Sequence, residues 1–311
     1  DTLAPALSAD AKSLYYIERQ SGHVLRSGLE GRDETILANL TILESFDGLW
    51  SPLKNRVLIA YADRGAVKRF VESTATATPS YFLPANATMA SWSPDGRQIA
   101  YLVRQGEQTN LVIADQANRD GRTVYTTPIP DFTLVWANRN TVLLISRPSG
   151  LAPSLVLQFN TATGRAEPIL LGSRGVMILA APNGSGFLFS QSAERGEAGE
   201  IAFYRFADRS TTPLGQITLA EKCAFFSDSK RISCGVPQGG ISGISPDDWY
   251  RGAVAFRDNI VEIDIAAGRA ATLAGSEAAL DITMPVISPD GTYLFFVDKH
   301  DGTLWRMTLV E

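Results

Sequence analysis

The sequence predicts an all-β fold, a seven-bladed β-propeller of four-stranded antiparallel blades, with six or eight blades as the alternatives. Three observations lead there. A short turn motif recurs at near-constant spacing, an apolar run follows each copy, and no 3.6-residue apolar period marks a helix. One propeller domain accounts for residues 1–311.

The unit is clearest around SWSPDGRQIAY, residues 91–101. An apolar strand ends at Trp92, SPDG turns the chain, and RQIAYLV, NLVIAD and TVYTT supply three further strands. The same order returns as LSADAKSLYYI, LWSPLKNRVLIAY, VWANRNTVLLI, AAPNGSGFLFS, FFSDSKRISCGV and VISPDGTYLFFV. The turns begin at Ser8, Ser51, Ser93, Ala137, Pro182, Ser227 and Ser288, at intervals of 43, 42, 44, 45, 45 and 61 residues. A four-stranded repeat of about 40–45 residues is the signature of a propeller blade.

Each residue of the turn answers a backbone demand. Pro94 presets φ, Asp95 suits the third position, and Gly96 takes the left-handed conformation that closes the hairpin. Where glycine is replaced, as in PLKN, Asn55 is the residue expected to tolerate that conformation. The runs after the turns, at 14–17, 57–61, 99–103, 142–145 and 294–297, lack the alternation of a half-exposed sheet, as expected of strands covered on both faces. Trp50, Trp92 and Trp136 occupy equivalent places in three successive units and read as core between blades. The last unit ends at Glu311 without an outermost strand, so residues 1–4 are expected to lie beside residues 304–309 and complete it.

WSPDGRQIAYLV and ISPDGTYLFFV resemble the WD40-like PD40 repeat found in the TolB-type bacterial propellers. The resemblance spans essentially the whole chain and implies the fold rather than an activity. The segment 222–264 resembles a group of bacterial propeller proteins held outside the membrane by one N-terminal helix.

Composition narrows the partners. A net charge of -5 and a pI near 5.2 leave no basic field for nucleic acid. No apolar run reaches the ~20 residues that cross a bilayer, and DTLAPALSAD has no signal-peptide pattern, so any membrane anchor or removed signal would precede Asp1. Asn39, Asn86 and Asn183 head three sequons compatible with surface exposure.

The two cysteines lie in KCAFFSDSKRISCGV. Opposed residues of a symmetric hairpin share an index sum: Phe226 with Arg231 gives 457, and so does Cys223 with Cys234. The sulfurs should face each other across adjacent strands as a disulfide, which favours an oxidising, extracytoplasmic location; two buried free thiols are the alternative.

Most catalytic patterns are absent. There is no G-x-S-x-G elbow or H-E-x-x-H motif, and the two histidines, His23 and His300, read as exposed loop residues rather than ligands, since a metal site needs three or more. Oligogalacturonate lyases also resemble PD40 propellers, but rely on a histidine-rich metal centre. Asp95 and Asp290 belong to repeated turns on different units and are not expected to converge as an acid/base pair. No metal or cofactor is expected.

The long sixth interval is the irregularity. Its excess is PQGGISGISPDDWYRGAVAFRD, residues 237–258, between the second and third strands of one unit. Loops of this length in a compact repeat are often functional. It carries Asp247, Asp248, Trp249, Tyr250 and Arg251, residue types that dominate binding hot spots and stack on sugars or peptides. Alternatively, Trp249 and Tyr250 pin the loop to the blade edges, with Arg251 paired to Asp247 or Asp248. The expected function is a non-catalytic extracytoplasmic binding or scaffold module taking a protein or glycan ligand. A glycan-active or peptidase-associated enzyme and a structural subunit of a surface assembly are the alternatives.

Overall fold

The structure, a computed structural model, describes residues 1–75, 78–275 and 279–309, the side chains of 274 and 275 excepted. Among these residues every element is a strand apart from a 3₁₀ turn at Ala220–Lys222 and one helical turn at Asp247–Tyr250. No helix among the described residues is long and apolar enough to cross a membrane. Val310 and Glu311 lie outside the described residues.

The chain divides into two compact units, Asp1–Pro130 with Gly302–Leu304, and Asp131–Asp301 with Trp305–Glu311. The first contains three antiparallel four-stranded sheets. Their strands are Thr2–Leu7, Ser13–Glu18, Val24–Gly28 and Thr35–Ala38; Ser45–Trp50, Arg56–Asp63, Ala66–Ser73 and Tyr81–Phe82; and Ala87–Trp92, Gln98–Gln105, Gln108–Asp115 and Arg122–Thr127. In each sheet neighbours in sequence are neighbours in space.

The second strands carry the core because both faces are covered. Val57, Leu58, Ile59 and Ala60 are buried in succession, as are Ile99, Ala100, Tyr101 and Leu102. Trp50 and Trp92, 8% and 5% exposed, each donate the indole N–H to a carbonyl on the first strand of the preceding sheet. Trp50 reaches Ala4 at 2.8 Å and Trp92 reaches Leu49 at 3.1 Å. The aromatic position of the repeat therefore fastens one sheet to the next.

The second unit contains a seven-stranded sheet whose central member, Arg165–Ala180, serves as last strand of one repeat and first strand of the next. A four-stranded sheet follows, Cys223–Phe225, Arg231–Pro237, Asp258–Asp264 and Arg269–Gly275. A three-stranded sheet, Ile282–Ile287, Tyr293–Asp298 and Leu304–Thr308, ends the chain. In the second unit a core cluster joins Leu188, Phe203, Ile232 and Ile263 with Trp249 and Phe256 of the long loop.

The turns repeat one hydrogen-bond pattern. The N–H of Ser8, Ser51, Ser93 and Ser288 donates to the carbonyl five residues on, at 2.8–2.9 Å. The same bond starts at Ala181 and Phe226, one residue before the turn starts that the sequence suggests. Ser93 Oγ donates to Asp95 at 2.7 Å, and the Asp95 carboxylate accepts the Arg97 N–H at 3.1 Å. The hydroxyl first, and the backbone donor second, hold the Asp95 carboxyl below its ordinary value; Ser288 does the same for Asp290. These aspartates are turn-builders.

Two expectations are corrected. Gly96 and Gly291 take φ of +69° and +75°, but the residues that replace them are Ala11 and Lys54, at φ 55° and 57°. Asn55 instead stands in for the turn aspartate, accepting from Ser51 Oγ at 2.9 Å. Nor, among the described residues, is the start of the chain a member of the last sheet: Thr2–Leu7 is the edge strand of the first sheet, paired with Ser13–Glu18 on either side of an irregularity between Leu3 and Ala6. Among the described residues the last sheet has three strands, and the Thr2 N–H donates to the Gly302 carbonyl at 2.9 Å.

Candidate functional site

The site is the loop between strands Arg231–Pro237 and Asp258–Asp264. Its sheet begins with the hairpin that carries the cysteines. Cys223 and Cys234 face each other in register, with Cα atoms 4.0 Å apart, and form a disulfide.

Beneath the loop lies a charge cluster that sequence reading missed. Lys222 is fully buried, and so are Asp258 and Asp281. The ammonium bonds Asp281, Asp258 at 2.7 Å and the Ile282 carbonyl at 2.9 Å. Three donors of one lysine are thus satisfied, which makes so deep a charge tolerable. Asp281 also accepts the Trp249 indole N–H at 3.0 Å and the Phe256 N–H at 3.1 Å. The rings of Trp249 and Phe256 each lie 5.2 Å from the Lys222 nitrogen. Asp258 accepts the Ile282 N–H at 2.7 Å through Oδ2, while its buried Oδ1 has no hydrogen-bond partner. Burial pushes the Asp258 carboxyl up to about 6 against the pull of Lys222.

The cluster roots the loop at one side, and backbone contacts seat it at the other. Asp247 accepts the Gly150 N–H at 2.7 Å, and the Ser245 N–H donates to the Gly196 carbonyl at 2.8 Å. Ser192 Oγ donates to the Ser245 carbonyl, and Lys299 Nζ to the Trp249 carbonyl at 2.7 Å. Gly150, Gly196 and Lys299 lie in loops between second and third strands of their own repeats, so the long loop crosses loops of its own kind. Gly150 and Gly175 lie where a side chain would collide with the Ser245 carbonyl. The Ser245-Pro246 peptide is cis.

The five residues singled out in the sequence therefore divide. Trp249 is 2% exposed, which corrects the expectation that its ring is offered to a ligand; its N–H is committed to a buried carboxylate. Asp247 and Asp248 serve the loop itself, Asp248 accepting the Ile244 N–H at 2.8 Å. Arg251 pairs with Asp248 at 2.9 Å yet keeps 65% of its side chain exposed. Tyr250 is 45% exposed and donates to Glu221 at 2.6 Å. Its surroundings first, and the Glu221 charge second, raise the phenol well above its ordinary value. The missed group left one trace: in AALDITMPVI a lone carboxylate, Asp281, interrupts an apolar run.

The histidines are engaged separately. His300 Nδ1 lies 2.7 Å from Asp298, and His23 Nε2 lies 3.4 Å from Thr41. His300 is exposed and His23 half-buried. Among the described residues no group of three or more His, Cys, Asp or Glu side chains is arranged to hold a metal ion.

No protein-family model and no curated protein matches the chain. Solved structures do. An oligogalacturonate lyase in complex with manganese superposes with a TM-score of 0.71 at 12% identity, covering 98% of this chain and 88% of that one. The tricorn protease gives 0.62 at 9% identity, over 99% of this chain and 33% of its own. TolB from Acinetobacter baumannii gives 0.52 at 13% identity, over 98% and 76%. The residues described above do not fit a manganese centre of clustered ligands. At these identities the likeness speaks for architecture alone, and the neighbours differ in activity. The chain has a TolB-like β-propeller fold.

Proposed function

We propose that the chain is a non-catalytic, extracytoplasmic binding module that recognises a protein or glycan through the face carrying loop 237–258. One observation carries the reading. The loop is fixed at both sides, by a buried ion cluster and by backbone hydrogen bonds, while Tyr250 and Arg251 stay exposed on it. An amphipathic aromatic beside a guanidinium on a rigid support is a low-entropy binding surface. Leu151, 58% exposed, extends it, since both Leu151 and loop residue Ile244 border Gly196. The Cys223–Cys234 disulfide supports the oxidising location. The likeness to an oligogalacturonate lyase keeps a glycan as the alternative ligand to a protein.

The test is a double variant, Tyr250→Ala with Arg251→Ala, used as bait beside the wild type in pull-downs from extracytoplasmic extract and on a glycan array. Specific capture by the wild type that falls at least tenfold in the variant supports the placement. Equal capture by both rejects it.

A further inference from the structure

A second site lies in the first compact unit, away from the long loop in sequence. Val67 and Arg69 of strand Ala66–Ser73, residues 85–88, Arg104 and Gly106 line one open surface groove of about 580 Å³. Two of its walls are arginines. Arg69 donates to the Ala87 carbonyl at 2.7 Å, which fixes one edge of its guanidinium. Arg104 is held through its backbone, its carbonyl accepting Asn86 Nδ2 at 2.8 Å, and its side chain is exposed. Among the described residues neither guanidinium has a carboxylate within ion-pair distance, a state they share with most arginines of the chain. Arg69 is half-buried, and burial lowers its pKa. A partly desolvated cation without a counter-ion gains most from an anion.

The Asp47 carboxylate acts on Arg69 from outside ion-pair distance. Two guanidiniums against one carboxylate leave a net positive charge suited to a monoanion. The rest of the lining is Val67, Ala85, Ala87 and Gly106, with Asn86 and Thr88 as its uncharged polar members.

We propose that this groove binds a small monocarboxylate with a short apolar body. Arg69 and Arg104 take the carboxylate, whose planar oxygens match the guanidinium fork. The carboxylate belongs either to a free acid or to a peptide C-terminus.

Saturation-transfer NMR with butyrate and with N-acetylalanine as probes, and inorganic phosphate as competitor, tests this on the whole chain. Saturable binding of either probe, weakened at least tenfold by Arg104→Gln and partly kept by Arg104→Lys, supports the site. Preference for butyrate assigns a free acid, and preference for N-acetylalanine a peptide terminus. Arg104 has no side-chain partner to lose, so the variant should fold; thermal unfolding within 2 °C of wild type, on the order of 1 kcal/mol for a chain of this length, checks it. Absence of saturable binding, binding unchanged in Arg104→Gln, or displacement by equimolar phosphate overturns the proposal.

Discussion

Lys222 and Asp281 are 59 residues apart in sequence and meet as a fully buried ion pair under the long loop. With Asp258 they place one ammonium between two carboxylates, and the loop's two buried rings close over it. The pair thereby joins three segments: the turn before the disulfide hairpin, the end of the loop, and the start of the last sheet.

Removing the cation should therefore expose the cost of the carboxylates. Lys222→Met keeps the length of the stem and leaves Asp258 and Asp281 buried without their counter-ion. A loss of about 3–5 kcal/mol is expected at pH 7.5, the range for breaking a buried pair. Asp258 already holds its proton up to about 6, and without Lys222 it holds it higher. The loss should shrink at pH 5.5, where protonation removes one buried charge. Urea unfolding at the two pH values measures this, and an equal loss at both would count against it.

The disulfide links strands that are already in register, so its effect should be on the unfolded chain. Cys223 and Cys234 are separated by 11 residues. Chain entropy for a loop of that size corresponds to about 2–4 kcal/mol. Replacing both by alanine should lower stability by that amount and leave the pairing of Ala224 with Ser233 intact. Equilibrium unfolding gives the first quantity and amide exchange at Ser233 the second. Loss of protection there under native conditions would show that the bond also creates the register.

The repeat and the disulfide were legible because both are local. SPDG states its conformation through Pro94, Asp95 and Gly96, and a hairpin fixes which residues oppose each other, so Cys223 and Cys234 could be paired by counting. The long loop was legible as a length anomaly. Its interior was not, because the burial of Trp249 depends on Asp281, 32 residues away, and on Lys222. A tryptophan beside a tyrosine looks alike in sequence whether it faces water or a buried carboxylate. The arginine groove was hidden for the same reason: Arg69 and Arg104 lie on different sheets, and only the fold brings them to one groove.

The turns predict a gain from glycine. Ala11 and Lys54 occupy the left-handed position that Gly96 fills elsewhere, at φ 55° and 57°. That conformation costs a non-glycine residue about 1–2 kcal/mol, of which glycine's greater unfolded entropy takes back about half. Ala11→Gly and Lys54→Gly should each raise stability by about 0.5–1 kcal/mol. Gly96→Ala should do the opposite by a larger margin, since a Cβ there would lie 2.9 Å from Leu53 Cγ. Thermal unfolding of the three variants decides the sign. A loss in both glycine variants would mean that the left-handed residues carry side-chain contacts worth more than their strain.

Glu72 should make stability fall as pH rises through neutrality. It is 7% exposed, and its Oε2 is buried without a hydrogen-bond partner. Arg56 is buried on the adjacent strand but cannot help: Arg56 stands opposite Ser73 and Glu72 opposite Val57, so the two side chains leave opposite faces of the sheet. Burial alone raises the Glu72 carboxyl to about 7. Because the folded state holds the proton more tightly than the unfolded chain does, the stabilising contribution is complete below the ordinary value of 4.5 and is lost as pH rises through 7. Glu72→Gln supplies a neutral group of the same shape at every pH. Allowing for solvent screening, the variant should be about 1–2 kcal/mol more stable than wild type at pH 8, with the difference closing below pH 4.5. Urea titrations at pH 4.5, 6 and 8 follow the crossover. A constant difference across that range would mean that the carboxyl keeps an ordinary pKa and that Glu72 reaches solvent in the folded state.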